Sequence, residues 1–190
     1  MATLDEIYTA EWVAHDFADL QLEFDVVAQA IYRQFRPETA IDVGCGPGMV
    51  VDELRILGVD ASGYEGSSHV VAYANPLVRP FITHADITTL EDLGAADLVI
   101  CTEVAEHLDE TDAEGLVALL CSSMSPIVFT AAPPGQEGHH HVNCQPRHYW
   151  VDLFRGHGVR FDNETTIQLA ARWGSLRRLS HMINNLMVFR

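Results

Sequence analysis

The run Ile41-Asp42-Val43-Gly44-Cys45-Gly46-Pro47-Gly48 constrains this chain more than any other segment. An acidic residue sits in a short apolar stretch, glycines follow at alternate positions, and Met49 to Leu57 then reads as a helix. Glycines at this spacing permit a tight turn, present bare backbone to a ligand and point the next helix's N-terminus at it. Many nucleotide-binding folds share a glycine-rich turn. Its place between a strand and a helix, with Glu65 about 20 residues on, is what gives it weight.

The residues around the turn extend the same rhythm. Ala40–Val43 and Val59–Tyr64 read as strands, Ser67–Ala74 as a helix, and Phe81–Thr83 and Leu98–Cys101 as strands. The spacing predicts a helix across Ala113–Ser122 and a strand at Ile127–Thr130. Strands and helices in alternation imply a parallel sheet covered on both faces, with ligands beyond the carboxyl ends of the strands. Upstream, Phe17, Leu20, Phe24, Val27, Ile31 and Phe35 fall three or four apart. That spacing predicts one amphipathic helix from Asp16, as N-cap, to Phe35 before Pro37. Tyr8, Trp12 and His15 form an aromatic arm ahead of it. Downstream, Ala131 to Asn143 is a loop rich in Pro, Gly and His, followed by a helix near Pro146–Phe154. Thr165–Asn184 reads as mostly helical with a break near Gly174, between closing strands at Val159–Phe161 and Leu186–Phe189. No repeat or linker interrupts the chain, so residues 1–190 are expected to form one domain, with 1–37 as an N-terminal arm and helix and 38–190 as the core.

Composition removes several classes of partner. The formal charge is −16, with eleven Lys and Arg against twenty-seven acids, whereas a protein that grips phosphate backbones presents a basic face. Nucleic acid is therefore a poor fit as a partner. No apolar run approaches ~18 residues, which argues against a membrane span. The acidic opening Met1-Ala2-Thr3-Leu4-Asp5-Glu6 lacks a basic-then-apolar leader, and Cys45, Cys101, Cys121 and Cys144 show no paired spacing. A cytoplasmic location with free thiols is the expectation.

With these elements placed, the chain from about residue 38 to 190 resembles the class I S-adenosylmethionine-dependent methyltransferases. The resemblance rests on Asp42-Val-Gly-Cys-Gly-Pro-Gly48, on Glu65, on Asp86-Ile87 and on Cys101-Thr-Glu-Val-Ala-Glu-His-Leu108, in that order. It implies that Asp42, Gly44, Cys45, Gly46 and Gly48 hold the methionine part of the cofactor. Glu65 would bind the ribose hydroxyls and Asp86 with Ile87 the adenine, although Asp86 can equally cap a following turn. Glu103 would stand where cofactor sulfur and acceptor meet. The fold implied is Rossmann-like: a doubly wound, mostly parallel sheet of seven strands, the last antiparallel, with helices on both faces. A dehydrogenase fingerprint, G-x-G-x-x-G, is not matched, because the third glycine arrives one position early.

Methyl transfer is an in-line displacement, so catalysis comes largely from alignment, and a hydroxyl acceptor must also lose its proton. Glu106 and His107 are the candidate catalytic groups. If a helix begins near Thr102, Glu103, Glu106 and His107 share one face at i, i+3 and i+4. With His141 from the later loop they can hold a divalent metal ion. The resemblance points the same way, since ubiquinone-pathway O-methyltransferases and small-RNA 2′-O-methyltransferases use a Glu-x-x-Glu-His signature with a metal. The competing reading is that Glu103 only contacts the cofactor while Glu106 and His107 orient the helix. Asn143, Arg147, His148 and Tyr149 are candidates to face the acceptor, Trp150, Leu153 and Phe154 are expected in the core, and Pro133–Gly138 has the composition of a lid. The expected activity is methyl transfer from S-adenosylmethionine to a small-molecule acceptor, a hydroxyl oxygen by preference. An RNA or protein acceptor and a non-catalytic cofactor-binding scaffold or sensor are the alternatives.

Overall fold

A computed structural model describes residues 3–190; Met1 and Ala2, the start of the acidic opening, lie outside the described residues. The first elements follow from their caps. Thr3 and Glu6 form a reciprocal box at the start of α1 (Leu4–Ile7): the Glu6 amide donates to Thr3 Oγ1 at 3.3 Å and the Thr3 amide donates to Glu6 Oε2 at 2.7 Å. Thr9 caps α2 (Ala10–Asp16) through the Trp12 amide, and α3 spans Gln21–Phe35. The single helix expected from Asp16 is therefore two. Asp16 ends α2 instead of capping α3, because Asp19 takes a left-handed backbone at φ +61° and breaks the helical ladder. Phe17 and Leu20 keep the apolar spacing while lying between the helices, so periodicity alone could not reveal the break.

From there the alternation runs as expected: β1 (Thr39–Val43), α4 (Met49–Ile56), β2 (Asp60–Glu65), α5 (Ser68–Tyr73), β3 (Ile82–His84), β4 (Leu98–Thr102), α6 (Ala113–Ser122) and β5 (Ile127–Thr130). The C-terminal part adds α7 (Arg147–Gly156), α8 (Asn163–Arg172), α9 (Ser180–Asn185) and β6 (Met187–Phe189). The strands form one sheet in the order β3-β2-β1-β4-β5-β6, parallel except for β6, which runs antiparallel to β5.

Among the described residues, the expected seven strands are six. Val159–Phe161 does not form a strand: only Phe161 bridges Phe189, supported by a reciprocal pair of amide–carbonyl bonds between Arg160 and Arg190. The segment is too short to pair further. Gly158 turns at φ +80° on one side, and on the other Asp162 is already the N-cap of α8, accepting from the Thr165 amide at 2.9 Å.

The sheet carries a core on each face. On one, Ile31, Leu54, Leu98, Trp173 and Val188 pack under α3, α4 and α8; on the other, Phe129, Trp150, Phe154 and Phe189 pack under α6 and α7. Phe154 and Phe189 stack with centroids 3.9 Å apart. Trp150 and Phe154 are fully buried, in keeping with their expected core role, and all four cysteines are free thiols.

Candidate active site

Strand order reverses between β2-β1 and β4-β5, and a cleft of about 550 Å³ opens beyond the carboxyl ends of these strands. That is where an open α/β sheet is able to bind ligands, because the connecting loops diverge there.

One half of the cleft is the glycine turn between β1 and α4. Gly44, Gly46 and Gly48 all have positive φ, at +73°, +57° and +76°. The turn wraps the end of β2: the Gly44 and Cys45 amides both donate to the Tyr64 carbonyl at 2.9 Å. A side chain at Gly44 would meet the Val104 methyls at 2.4 Å and 2.9 Å, so the glycine lets β1 and the segment after β4 close on each other. Cys45 is small for a similar reason, its sulfur lying 2.6 Å from where a Cβ on Gly63 would be.

Glu65 closes this half. Its Oε2 accepts from the Gly46 amide at 3.1 Å and its Oε1 from the Ser67 amide at 2.8 Å, and the residue lines the cleft with acceptor capacity to spare. Burial pushes the Glu65 carboxyl above its ordinary value against the pull of these amides. Asp42 is buried beneath the turn with Oδ1 unpartnered, and desolvation, reinforced by the Glu65 charge, pushes it up to about 7. A cation entering the cleft reverses that balance and favours both carboxylates. Asp86 and Ile87 line the same half, and Asp86 also performs the capping role, its Oδ1 accepting from the Thr88 amide at 3.0 Å.

The other half begins where β4 ends. The expected helix carrying Glu103, Glu106 and His107 on one face does not form. Glu103 adopts a left-handed backbone at φ +54°, and the chain then makes a single 3-10 turn over Ala105–His107. Glu103 and Glu106 consequently point to different partners. Glu103 accepts from Asn185 Nδ2 at 3.1 Å and from Gln136 Nε2 at 3.4 Å, and it pairs with His181 Nε2 at 3.2 Å. Burial raises the Glu103 carboxyl, but the hydrogen bond and charge of His181 outweigh it and leave it below its ordinary value. The same contact lifts His181 above an ordinary histidine.

Glu106 turns inward. It is fully buried; its Oε1 accepts from the Ala132 amide at 3.2 Å and its Oε2 has no partner. Burial, then the neighbouring Glu103 charge, pushes it well above the usual carboxylate range. The Glu106 carbonyl accepts from the Val142 and Asn143 amides at 2.9 Å and 3.0 Å, which staples the histidine loop to this turn. His141 is thereby brought beside His107, their rings edge-to-face at 5.1 Å. His107 Nδ1 lies 3.3 Å from the His140 carbonyl, which leaves Nε2 for other partners, and desolvation followed by the nearby His141 depresses His107 to about 4.

One ligand atom from each of Glu106, His107 and His141 lies within 4.8 Å of the others, a carboxylate-plus-two-imidazole set. Glu103 does not join that set; its oxygens are taken up by Asn185, Gln136 and His181. The donor types suit a divalent transition metal, and the unpartnered Glu106 Oε2 is the kind of buried atom that a cation would satisfy.

The N-terminal arm covers both halves. Asp5 ties the arm to the start of α5, which Ser67 caps: its Oδ1 accepts from Ser67 Oγ and the Ser68 amide at 2.9 Å and 2.8 Å and its Oδ2 from Ser68 Oγ at 2.5 Å; these bonds, the one to Ser68 Oγ foremost, depress it to about 2. His69 Nδ1 lies 3.1 Å from the Tyr8 carbonyl, and His139 Nε2 lies 2.9 Å from the Ile7 carbonyl. Tyr8 and Trp12 then lean over the cleft against His107 and His139.

Asp42, Gly44, Cys45, Gly46, Glu65, Asp86, Ile87, Glu103, His107 and His141 thus line one cleft, as the sequence suggested, with Glu106 directly behind it; Gly48 instead packs close to Ile82 and Val78. Arg147, His148 and Tyr149 lie outside it: Arg147 reaches the Asn184 carbonyl at 2.7 Å, and His148 and Tyr149 border a separate shallow groove along α7. Asn143 is buried, donating to the Ala105 carbonyl at 3.4 Å. Sequence reasoning missed Asp5, Gln136, His181 and Asn185. Only Asp5 left a local trace, since the capping box around it marks a helix start.

A methyltransferase-domain family model matches residues 12–172. The chain belongs to that methyltransferase family. No curated protein matches it by sequence. Among solved structures, this methyltransferase domain is similar in fold to a SAM-dependent methyltransferase from Archaeoglobus fulgidus, with TM-score 0.65 and 17% identity over 79% of this chain and 73% of that one. It is similar to the magnesium protoporphyrin IX methyltransferase of Synechocystis PCC 6803 with bound SAH, at TM-score 0.61 and 19% identity over 86% and 81%. Against the mitomycin 7-O-methyltransferase it reaches TM-score 0.60 at 16% identity over 76% of this chain, and spans 49% of that chain's length.

Proposed function

We propose that this domain transfers the methyl group of S-adenosylmethionine to a hydroxyl oxygen of a small molecule. The observation that carries the reading is convergence. The glycine turn with Glu65 and the His107–His141 corner open into one cleft of about 550 Å³, a volume in the range of small-molecule sites. Glu65 has the free lone pairs to receive a vicinal diol, and Asp42, Glu65 and Glu103 give the cationic sulfonium a complementary field.

On the acceptor side, His107 is the residue to take the hydroxyl proton. Its Nδ1 faces a carbonyl, its Nε2 is available, and desolvation keeps the ring neutral at physiological pH. A base held near 4 is weak, so the acceptor hydroxyl needs help to ionise. A divalent ion on Glu106, His107 and His141 would supply that help as a Lewis acid. Glu106 Oε2 and the two imidazoles would hold it; Glu103, in the set expected from sequence, would instead stay with His181. Elemental analysis and activity in strong chelator decide the matter, and full turnover with no bound ion removes the metal.

Titration with S-adenosylhomocysteine tests the donor half. Saturable binding is expected, and its absence at about 100 µM, corresponding to only about 5.5 kcal/mol, would sink the reading. Binding without turnover of any acceptor would favour a non-catalytic scaffold or sensor. A cytoplasmic location fits these chemistries, and no helix among the described residues is long and apolar enough to cross a membrane.

A further inference from the structure

We propose that the acceptor half of the cleft selects a hydroxylated aromatic ring that carries no carboxylate, sulfate or phosphate group; this rests on the methyl-transfer reading above and names its substrate class. Two independent features lead there. The first is charge. Asp16, Asp42, Glu65, Asp86, Glu103 and Glu137 line the cleft, while no arginine does, and every basic residue of the chain other than histidine is arginine. His181 is committed to Glu103. A bound donor, whose sulfonium and ammonium exceed its one carboxylate, neutralises part of this field. An anion on the acceptor would still be desolvated among acids that outnumber the nearby Arg178 guanidinium, which bonds the Ala18 and Asp16 carbonyls.

The second is shape. Tyr8 and Trp12 descend from the arm, His139 from the loop and His107 from the turn after β4. Tyr8 stands 5.8 Å from His139 and 6.0 Å from His107 between ring centroids, and Trp12 stacks on His139 at 4.7 Å. Such a wall of ring faces and edges favours a flat aromatic partner.

The test uses two compounds of the same shape that differ in charge. 3,4-Dihydroxybenzamide and 3,4-dihydroxybenzoate are each titrated calorimetrically into the full chain saturated with S-adenosylhomocysteine. The amide is expected to bind at least about tenfold more tightly than the acid. Glu137→Lys, which places a cation at the cleft mouth, is expected to narrow that gap, and Trp12→Ala to weaken the amide. The proposal is overturned if the acid binds as tightly as the amide, if neither diol binds at millimolar concentration, or if Glu137→Lys leaves the gap unchanged. Failure of S-adenosylhomocysteine itself to bind would strike the methyl-transfer reading instead, so the two failures are separable.

Discussion

The two halves of the cleft are built by different means. The donor half comes from consecutive β-α units and from backbone: a glycine turn, one acid at the end of β2 and one after β3. The acceptor half is assembled from four separate places in the chain, namely the N-terminal arm, the turn after β4, the loop over Ala131–Asn143 and α9. In the first, geometry follows from local backbone rules. In the second, it depends on side chains meeting across the fold, so it can change without disturbing the donor site. That division lets one scaffold keep its chemistry while its acceptor pocket is rebuilt.

Substitutions can break or sharpen this contrast. Gly44→Ala is expected to do the greatest damage: a left-handed backbone and overlap with the Val104 methyls together cost about 3 kcal/mol. Urea denaturation would show it, with donor binding lost alongside; an unchanged midpoint would mean that the turn is not governed by backbone. His107→Ala should lower kcat by about a hundredfold, near 2.7 kcal/mol, with S-adenosylhomocysteine affinity nearly intact. If turnover survives, the acceptor half loses its base.

Glu65→Ala belongs to the donor half and should weaken S-adenosylhomocysteine binding by about 2 kcal/mol, the scale of hydrogen bonds to a charged group. A KM effect on the acceptor alone would contradict its placement. Asp5→Ala removes the bonds that tie the arm to the start of α5 and should cost about 1 kcal/mol of stability while speeding dissociation of S-adenosylhomocysteine in stopped flow. An unaltered dissociation rate would show that the arm does not retain the ligand.

The smallest effect concerns pH. The folded pKa of His181 lies above 6.5, so its pairing with Glu103 stabilises fully below 6.5 and is lost as pH rises through the higher folded value. Both groups are partly exposed, so the contribution is under about 1 kcal/mol. Comparing unfolding between about pH 5.5 and about pH 9, His181→Gln should flatten the slope seen in the parent chain. An identical slope would assign the titration to another group.

The same contrast explains what the sequence could reveal. The alternation of strands and helices, the glycine turn and Glu65 depend on residues near one another in the chain, and all are where local pattern places them. The partners of Glu103 are not: Asn185 and His181 arrive from α9, and nothing in their own neighbourhood marks them. The break at Asp19 escaped because apolar spacing continued through it, and the edge strand at Val159–Phe161 failed because Gly158 and the Asp162 cap leave no length to pair. Glu106 and His107 were legible as types of residue, but their direction was fixed by the backbone of Glu103, which no periodicity reports.

That backbone has a further consequence. Held at φ +54°, Glu103 occupies a conformation where glycine would sit with less strain, by about 1 kcal/mol. Selection for robustness alone would favour the smaller residue. A glutamate there places a carboxylate at the cleft at the expense of backbone ease. Stabilisation of this scaffold should therefore leave residue 103 alone, even though glycine there would relax the backbone.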